Sequence, residues 1–248
     1  MAIIIKTNEQ IEKMRVAGKI VARTHEMLMP YIKPGITTRE LDQIAEDYIR
    51  SQGAVPSFLN YDGFPANICI SVNEEVIHGI PGIRRLQDGD IVGIDIGAYI
   101  HGFHGDAART HAVGQVSAEN QKLIEVTRQS FFDGIEFAKE DCHLYHISAA
   151  IQETVEKNGF SVVREYIGHG VGHDLHESPE IPNYRQPSRG PRLRRGMTLA
   201  IEPMVNAGTH EIEVLHDRWT VVTKDGKCSA HYENTVLITD GAPELLTL

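Results

Sequence analysis

The sequence has few cysteines and no long hydrophobic run. Its 248 residues contain three cysteines, Cys69, Cys142 and Cys228, which lie far apart and form no CxxC pair. This spacing argues against a disulfide framework, so we expect a reducing, cytoplasmic compartment. No apolar run approaches the length of a membrane span, and the opening MAIIIKT is too short for the apolar region of a secretory signal. We therefore expect no membrane partner.

Basic residues are outnumbered by acidic ones. The chain has 24 Lys and Arg against 34 Asp and Glu, which gives a formal net charge of -10. Surfaces that bind nucleic acid are basic, so this balance argues against nucleic acid as a partner. Hydrophobic residues make up 41% of the chain, an ordinary share for a globular protein with a large core. Length alone allows one domain or two.

Two carboxylates occupy one apolar hairpin. The segment IVGIDIGAYIHGFHGDAARTHAV (91–113) predicts a buried strand, a turn and a return strand, with Asp95 and Asp106 on opposite arms. An even loop would make them a facing pair with Cβ atoms about 4.5–5.5 Å apart, where like charges repel. A three-residue loop ending at Gly102 would instead need a bulge, for which Gly105 is the candidate. A shared proton or a bound cation would offset the repulsion. An isolated pair of aspartates in a hairpin could also have its carboxylates in solvent.

The second half of the chain repeats the order of the first. Residues 8–113 and 117–240 each predict two helices, a strand, a polar loop and a hairpin. With a shift of 107, LRRGMTLAIEPM (193–204) aligns with LQDGDIVGIDIG (86–97), which places Glu202 at the position of Asp95. A predicted return strand over 230–238 carries Glu233 where the first half carries Asp106. We expect a single domain, internally duplicated with pseudo-two-fold symmetry, in which four carboxylates meet. Such a group of buried anions requires cations.

Three histidines accompany these carboxylates. His169 lies among glycines that let the backbone approach closely, His78 lies in a Gly/Pro loop, and His176 precedes Glu177. One imidazole with four carboxylates suits two divalent ions that share bridging carboxylates and a water, a site that favours amide hydrolysis with a carboxylate as general base. His169 and His173 also have the spacing of helical zinc ligands. However, the glycines disfavour a helix there, and the glutamate of the HEXXH motif is absent.

Several motifs together resemble the methionine aminopeptidases of the shorter, type I class. They are Asp95, the return FHGDAART with Asp106, GHGVGH around His169, AIEPM around Glu202 and HYENTV around Glu233. The likeness extends from about the first helix to Leu246. It implies the pita-bread fold, a duplicated α+β structure of antiparallel sheets with helices packed on the outer face. It also implies a compact, bacterial-type enzyme that removes the initiator methionine from nascent proteins and peptides whose second residue is small.

The resemblance also implies a role for each metal ligand. Asp95 would bind one ion, Asp106 and Glu233 would bridge two ions, and His169 and Glu202 would complete the second site. Glu202 would also be the proton shuttle. The same ligands accept cobalt, manganese, iron or zinc, so the sequence leaves the metal open.

Further residues would bind the substrate. The resemblance implies that His78 hydrogen-bonds the substrate near the scissile amide and that His176 stabilises the tetrahedral oxyanion. The apolar pocket for methionine would consist of Tyr61, Phe64, Cys69 and Trp219, with Phe58 and Leu175 setting its width. Plain core packing is the alternative for these side chains.

The resemblance also implies particular partners, and two rival functions remain as alternatives. We expect a peptide or nascent-chain amino terminus as substrate, proximity to the ribosome, and a monomer. An X-Pro aminopeptidase or prolidase on the same fold is the first alternative. A non-catalytic peptide- or ribosome-binding module is the second.

Overall fold

A computed structural model describes residues 2–248. The α-helices are α1 (Asn8–Leu28), α2 (Thr38–Ser51), α3 (Ala118–Ile135) and α4 (Leu144–Lys157), and short 3-10 helices cover Met29–Tyr31 and Tyr61–Gly63. Capping boxes begin α1 and α2, because Thr7 and Thr37 each accept a hydrogen bond from the N3 backbone while the N3 side chain accepts one from the backbone N–H of the cap residue. Ser117 caps α3 in the same position, through the N–H of Asn120.

The strands form four sheets, and every strand pairing within residues 2–248 is antiparallel. In chain order the strands are β1 (Val55–Pro56), β2 (Cys69–Val72), β3 (Glu75–Ile77), β4 (Ile91–Ile100), β5 (Phe103–Ala112), β6 (Ser161–Val162), β7 (Gly168–Gly170), β8 (Glu177–Ile181), β9 (Thr198–Ile201), β10 (Met204–Asn206), β11 (Ile212–Val214), β12 (Val221–Thr223), β13 (Ser229–His231), β14 (Asn234–Leu237) and β15 (Glu244–Leu245). The two larger sheets run β1-β4-β2, with β5 beside β4, and β15-β14-β9-β7-β8. The smaller sheets run β13-β10-β6 and β11-β12-β3. The predicted α+β class is confirmed.

Each larger sheet packs against one pair of helices. One apolar cluster joins α1 and α2 to β2 and β4, and it includes Ile94 and Ile96. Another joins α3 and α4 to β9 and β14. Since side chains alternate along a strand, Asp95 lies on the face of β4 away from α1 and α2. The helices therefore cover one face of the sheet and leave the other for polar groups.

The hairpin of β4 and β5 has a two-residue loop, His101 and Gly102, with φ of 54° and 84°. Positive φ at both positions is typical of the tight turn that suits the twist of a hairpin. The pairing is regular from Ile91↔Ala112 to Ile100↔Phe103. The three-residue loop is therefore wrong, and no bulge forms at Gly105.

The facing arrangement of Asp95 and Asp106 is also wrong. Asp95 pairs with Ala108, and Asp106 pairs with Gly97. The two carboxylates are diagonal neighbours on one face of the hairpin, still within reach of each other. Both carboxylates nevertheless lie on the same face of the hairpin, as a shared metal site requires.

The second hairpin is interrupted at its centre. The predicted return strand over 230–238 is divided into β13 and β14, and Glu202 and Pro203 separate β9 from β10 on the other arm. The pairs Ile201↔Asn234 and Met204↔His231 belong to one register, which puts Glu202 opposite Glu233 in the gap. Glu202 corresponds to Asp95 in the repeat, and Asp95 pairs with Ala108. The residue opposite Glu202, which is Glu233, therefore corresponds to Ala108 and not to Asp106, the predicted match two residues away. The repeat boundaries, 8–113 and 117–240, stay a prediction.

Helix α1 approaches the hairpin backbone closely. A Cβ atom on Gly105 would lie 2.8 Å from the backbone nitrogen of Gly18, and one on Gly18 would lie 2.1 Å from the carbonyl oxygen of Leu246. Both positions require glycine because backbone occupies the space of a side chain. This contact fixes the distance between β5 and α1, and with it the position of Asp106 on β5.

Candidate metal centre and substrate pocket

One cavity of about 240 Å³ gathers every residue predicted for the site. Its lining consists of Phe58, Tyr61, Asp62, Phe64, Cys69, His78, Asp95, Asp106, His169, Leu175, His176, Glu202, Trp219 and Glu233. Residues of both halves contribute, so neither half forms the cavity alone.

Four carboxylates converge at the polar end of the cavity. Asp106, Glu202 and Glu233 are only 4%, 9% and 2% exposed. Asp95 Oδ1, Asp106 Oδ1 and Glu233 Oε1 are buried and have no hydrogen-bond partner within the described residues. Unpartnered buried carboxylate oxygens are costly unless a cation satisfies them. Carboxylate oxygens beside one imidazole are a donor set that fits divalent cations.

The pKa values of all four carboxyl groups are raised. Burial is the main cause in each case, and for Asp95, Glu202 and Glu233 the charge of Asp106 adds to it. The pKa of Asp106 rises to about 7, mainly through burial. A metal-free site would therefore retain protons near neutral pH, and cations would replace them.

His169 faces the carboxylates with an unprotonated nitrogen. Its Nδ1 lies 2.9 Å from the carbonyl oxygen of Gly170, an acceptor, so we assign the ring proton to Nδ1. Nε2 lies 3.5 Å from Glu202 Oε1 and 4.0 Å from Asp106 Oδ2. Burial lowers the pKa of His169 to about 3. Ligand atoms of Asp106, His169 and Glu233 all lie within 4.8 Å of one another, close enough to share an ion.

The glycines beside His169 allow the close approach of backbone that the sequence predicts. A Cβ on Gly168 would lie 2.4 Å from the carbonyl oxygen of Ala200, and one on Gly170 would lie 2.3 Å from that of Ser178. Strand β7 is thus held tightly between β8 and β9. The rival helical zinc motif does not form, because His169 is in a strand and the His173 side chain is 72% exposed.

Two more imidazoles, those of His78 and His176, line the same cavity as the carboxylates. His176 Nδ1 lies 2.6 Å from Tyr61 Oη, and its ring centroid is 4.2 Å from that of His169. Burial lowers the pKa of His176. His78 has a left-handed backbone, with φ of 58°, and lies edge-on to Trp219 at 6.3 Å. Burial lowers the pKa of His78 to about 4, so both rings are neutral at pH 7.

The apolar end of the cavity is a compact cluster. Phe58, Phe64, Cys69 and Leu175 are buried together, and Trp219 packs against them. The rings of Phe64 and Trp219 meet edge to face at 5.2 Å. The same side chains therefore pack against one another and line the cavity, so pocket wall and core packing coincide.

Sequence reasoning missed His231. Its Nε2 lies 3.6 Å from Glu202 Oε2, and the ring is 4% exposed. Thr110 Oγ1 fixes this residue by accepting from its N–H and donating to its carbonyl oxygen, each at 2.9 Å. The signal was its place two residues before Glu233, but the sequence does not say which way the ring points. Asp62, at the mouth of the cavity, was missed as well.

This α+β scaffold, with four carboxylates and an imidazole in one cavity, has the features of a metallopeptidase. Residues 12–240 match the model of metallopeptidase family M24, and the chain belongs to that family. As a member it is a peptidase that uses divalent metal.

Particular relatives agree with this placement. Methionine aminopeptidase 1 of Bacillus subtilis is 58% identical over 245 residues, which cover 99% of each chain. The crystal structure of methionine aminopeptidase from Rickettsia prowazekii has a TM-score of 0.97 and 41% identity over the full length of both chains. Prolidase from Pyrococcus furiosus, at 24% identity, has a TM-score of 0.78 and covers 99% of this chain and 65% of its own, which shows a common fold.

The predicted pita-bread fold and the resemblance to methionine aminopeptidases are both confirmed. Within residues 2–248, the structure contains no helix with the length and apolar character that crossing a membrane requires.

Proposed function

We propose that this protein removes the amino-terminal methionine from peptides and nascent chains whose second residue is small. The observation that carries the proposal is the group of four carboxylates, three with a buried oxygen that has no hydrogen-bond partner, in one cavity with an apolar wall. The similarity to methionine aminopeptidases over nearly the whole chain supports the choice of substrate.

Two divalent ions per chain would occupy the polar end. Asp95 would help to hold one ion, His169 and Glu202 would help to hold the other, and Asp106 and Glu233 would serve both. Oxygen ligands with one imidazole suit cobalt, manganese, iron or zinc. When bound, such ions polarise a carbonyl group and make water a nucleophile at neutral pH.

Glu202 is the residue we assign to proton transfer. A carboxylate among the residues that would hold the ions is placed to act as the general base for the attacking water. Its carboxylate would accept a proton from the attacking water and deliver it to the leaving amine. His231 lies beside this carboxylate, with its Nε2 3.6 Å from Glu202 Oε2.

Two neutral imidazoles would bind the reacting amide. If Tyr61 donates its hydroxyl proton to Nδ1 of His176, the proton of that ring is on Nε2, and Nε2 can donate to the oxyanion of the tetrahedral intermediate. His78, neutral because burial lowers its pKa to about 4, would hydrogen-bond the substrate near the scissile bond. Neutral donors give this stabilisation without adding positive charge beside bound cations.

The apolar end would take the methionine side chain. An unbranched thioether adapts to irregular apolar walls and packs well against aromatic rings such as those of Phe64 and Trp219. The free amino group of the substrate would lie on the Asp95 side, which restricts cleavage to the first peptide bond. In the cell we expect a nascent chain as substrate, a cytoplasmic location near the ribosome, and a monomer.

Peptide hydrolysis after anaerobic reconstitution with each of the four metals tests the proposal. We expect cleavage of Met-Ala-Ser and no cleavage of an X-Pro peptide. Cleavage of the X-Pro peptide alone would favour a prolidase-type enzyme. A protein that binds metal but cleaves no peptide with amino-terminal methionine would favour a non-catalytic binding module.

A further inference from the structure

A buried ion pair joins the segment before α1 to the strand that follows His176. Lys6 Nζ lies 2.5 Å from Glu177 Oε2, and the two side chains are 2% and 3% exposed. The backbone of Lys6 is also fixed, because its N–H donates to the carbonyl oxygen of Gly196 at 2.8 Å. The pair links positions 171 residues apart. It therefore determines where the start of the chain crosses the second half of the fold.

A buried ion pair of this kind restricts geometry more than it stabilises the fold. Desolvation of both charges offsets much of their attraction, but each charge has few positions in which it is satisfied. Space around this pair is also limited. A Cβ on Gly172 would lie 2.5 Å from Lys6 Cε and 2.6 Å from Glu177 Oε1. Backbone and ion pair together hold the Glu177 carboxylate in one place.

Glu177 also closes the turn that carries His176. Residues 171–176 connect β7, which bears His169, to β8, which begins at Glu177. The Glu177 Oε1 atom accepts a hydrogen bond from the N–H of Asp174 at 3.3 Å, and Gly172 N–H donates to the carbonyl oxygen of Asp174 at 3.1 Å. His176 is the last residue of this turn, with its ring 4.2 Å from that of His169.

We infer that the Lys6–Glu177 ion pair sets the position of the His176 imidazole above the carboxylates. Lys6 does not line the cavity, so it is a positioning residue that acts through Glu177 and the turn. The inference rests on the role proposed for His176 in amide hydrolysis.

A double-mutant cycle in the metal-loaded enzyme tests this inference. Lys6→Met keeps the aliphatic stem and removes the charge, and it is compared in the wild-type and His176→Ala backgrounds with Met-Ala-Ser as substrate. In the wild-type background we expect kcat to fall about tenfold to a hundredfold, as for a catalytic group displaced by roughly 1 Å, with KM and metal content unchanged. In the His176→Ala background we expect a change of no more than about twofold, because the two residues act as one unit.

Two further variants separate positioning from stability. Lys6→Met/Glu177→Gln leaves no unpaired buried charge, so we expect its thermal midpoint to return toward wild type while kcat stays low. It replaces Lys6→Met in the cycle if that variant does not fold. Lys13→Met is the matched control, since Lys13 pairs with Glu9 at 2.9 Å on the surface, and we expect wild-type kcat.

Failure of the inference about Lys6 and failure of the proposed function give different experimental results. Wild-type kcat in the neutral pair, an equal fall in both backgrounds, or no effect of His176→Ala would overturn the inference while leaving methionine removal intact. A wild-type enzyme that cleaves no amino-terminal methionine would contradict the proposed function, and the role of Lys6 would be refuted with it.

Discussion

Glu202 is the residue proposed both to bind metal and to take up the proton of the attacking water. Its carboxylate lies 3.5 Å from His169 and 3.6 Å from His231, in the gap between β9 and β10. We expect Glu202→Gln to keep the fold but to lower kcat about 10²- to 10⁴-fold, because an amide cannot accept the water proton. Steady-state hydrolysis of Met-Ala-Ser, with metal content measured in parallel, checks this. Glu180→Gln, on the exposed side of β8, is the control. Turnover near wild type would contradict the assignment.

His78 is proposed to bind the substrate rather than the metal. We expect His78→Ala to retain the metal stoichiometry and to lower kcat, since the side chain lies against Trp219 and no metal-ligand contact is assigned to it. Metal analysis beside peptide hydrolysis measures both properties. The left-handed backbone, with φ of 58°, is a second variable, and His78→Asn controls for it because asparagine tolerates that conformation. Loss of metal from both variants would place His78 among the ligands.

At this scale the sequence predicts which residues meet but not how they face one another. For a loop with an even number of residues, the common face of Asp95 and Asp106 follows from counting. Their exact pairing does not, because it depends on which two residues take positive φ. His231 could not be found in this way, since a histidine between apolar neighbours is the same pattern whether it packs in a core or faces a carboxylate.

Gly105 shows what one element requires of another. A side chain on this residue of β5 would meet the backbone of α1 at Gly18, 2.8 Å away. We expect Gly105→Ala to lower the free energy of unfolding by roughly 1–3 kcal/mol, the usual cost of overpacking. Because Asp106 is the next residue, metal affinity should fall too. Urea unfolding and metal titration measure the two effects.

Gly241→Ala is the control for this prediction. No heavy atom lies closer than 4.0 Å to the position of its Cβ, and its φ is not in the left-handed region. We expect it to change neither stability nor metal affinity. If Gly105→Ala changed neither the free energy of unfolding nor the metal affinity, contact with α1 would not be what fixes the position of β5.

Helices were predictable at this scale because their signals are local. The capping residues Thr7, Thr37 and Ser117 mark their own helix starts. The division of the return strand at Glu233 was not predictable, because it depends on a distant contact. The N–H of Glu233 donates to the carbonyl oxygen of Ala108 at 2.9 Å, which takes it out of its own hairpin and into the other.

The whole molecule brings together four carboxyl groups from both halves, so protons or cations must offset their mutual repulsion. A carboxyl group whose pKa is raised on folding stabilises the metal-free fold below its unfolded pKa of about 4. That contribution is lost as pH rises through the folded pKa, which for Asp106 is about 7. Buried histidines have the opposite sign. His169 and His231, with pKa values lowered to about 3 by burial, contribute stability above pH 6.5 that is lost as pH falls.

The stabilisation that metal provides should therefore increase with pH. Cations replace the protons that the raised carboxyl pKa values retain, so the gain in thermal midpoint on adding metal should be small near pH 5.5 and larger near pH 7.5. Taking the difference between metal-loaded and metal-free protein at each pH cancels the histidines remote from the ligands, such as His25 and His111. A chelator should reverse the gain, and Asp106→Asn should reduce the gain at both pH values, because this variant removes one of the carboxylates that would hold the cations. A gain that is equal at both pH values, or larger at the lower one, would mean that the four carboxylates are not where the metal binds.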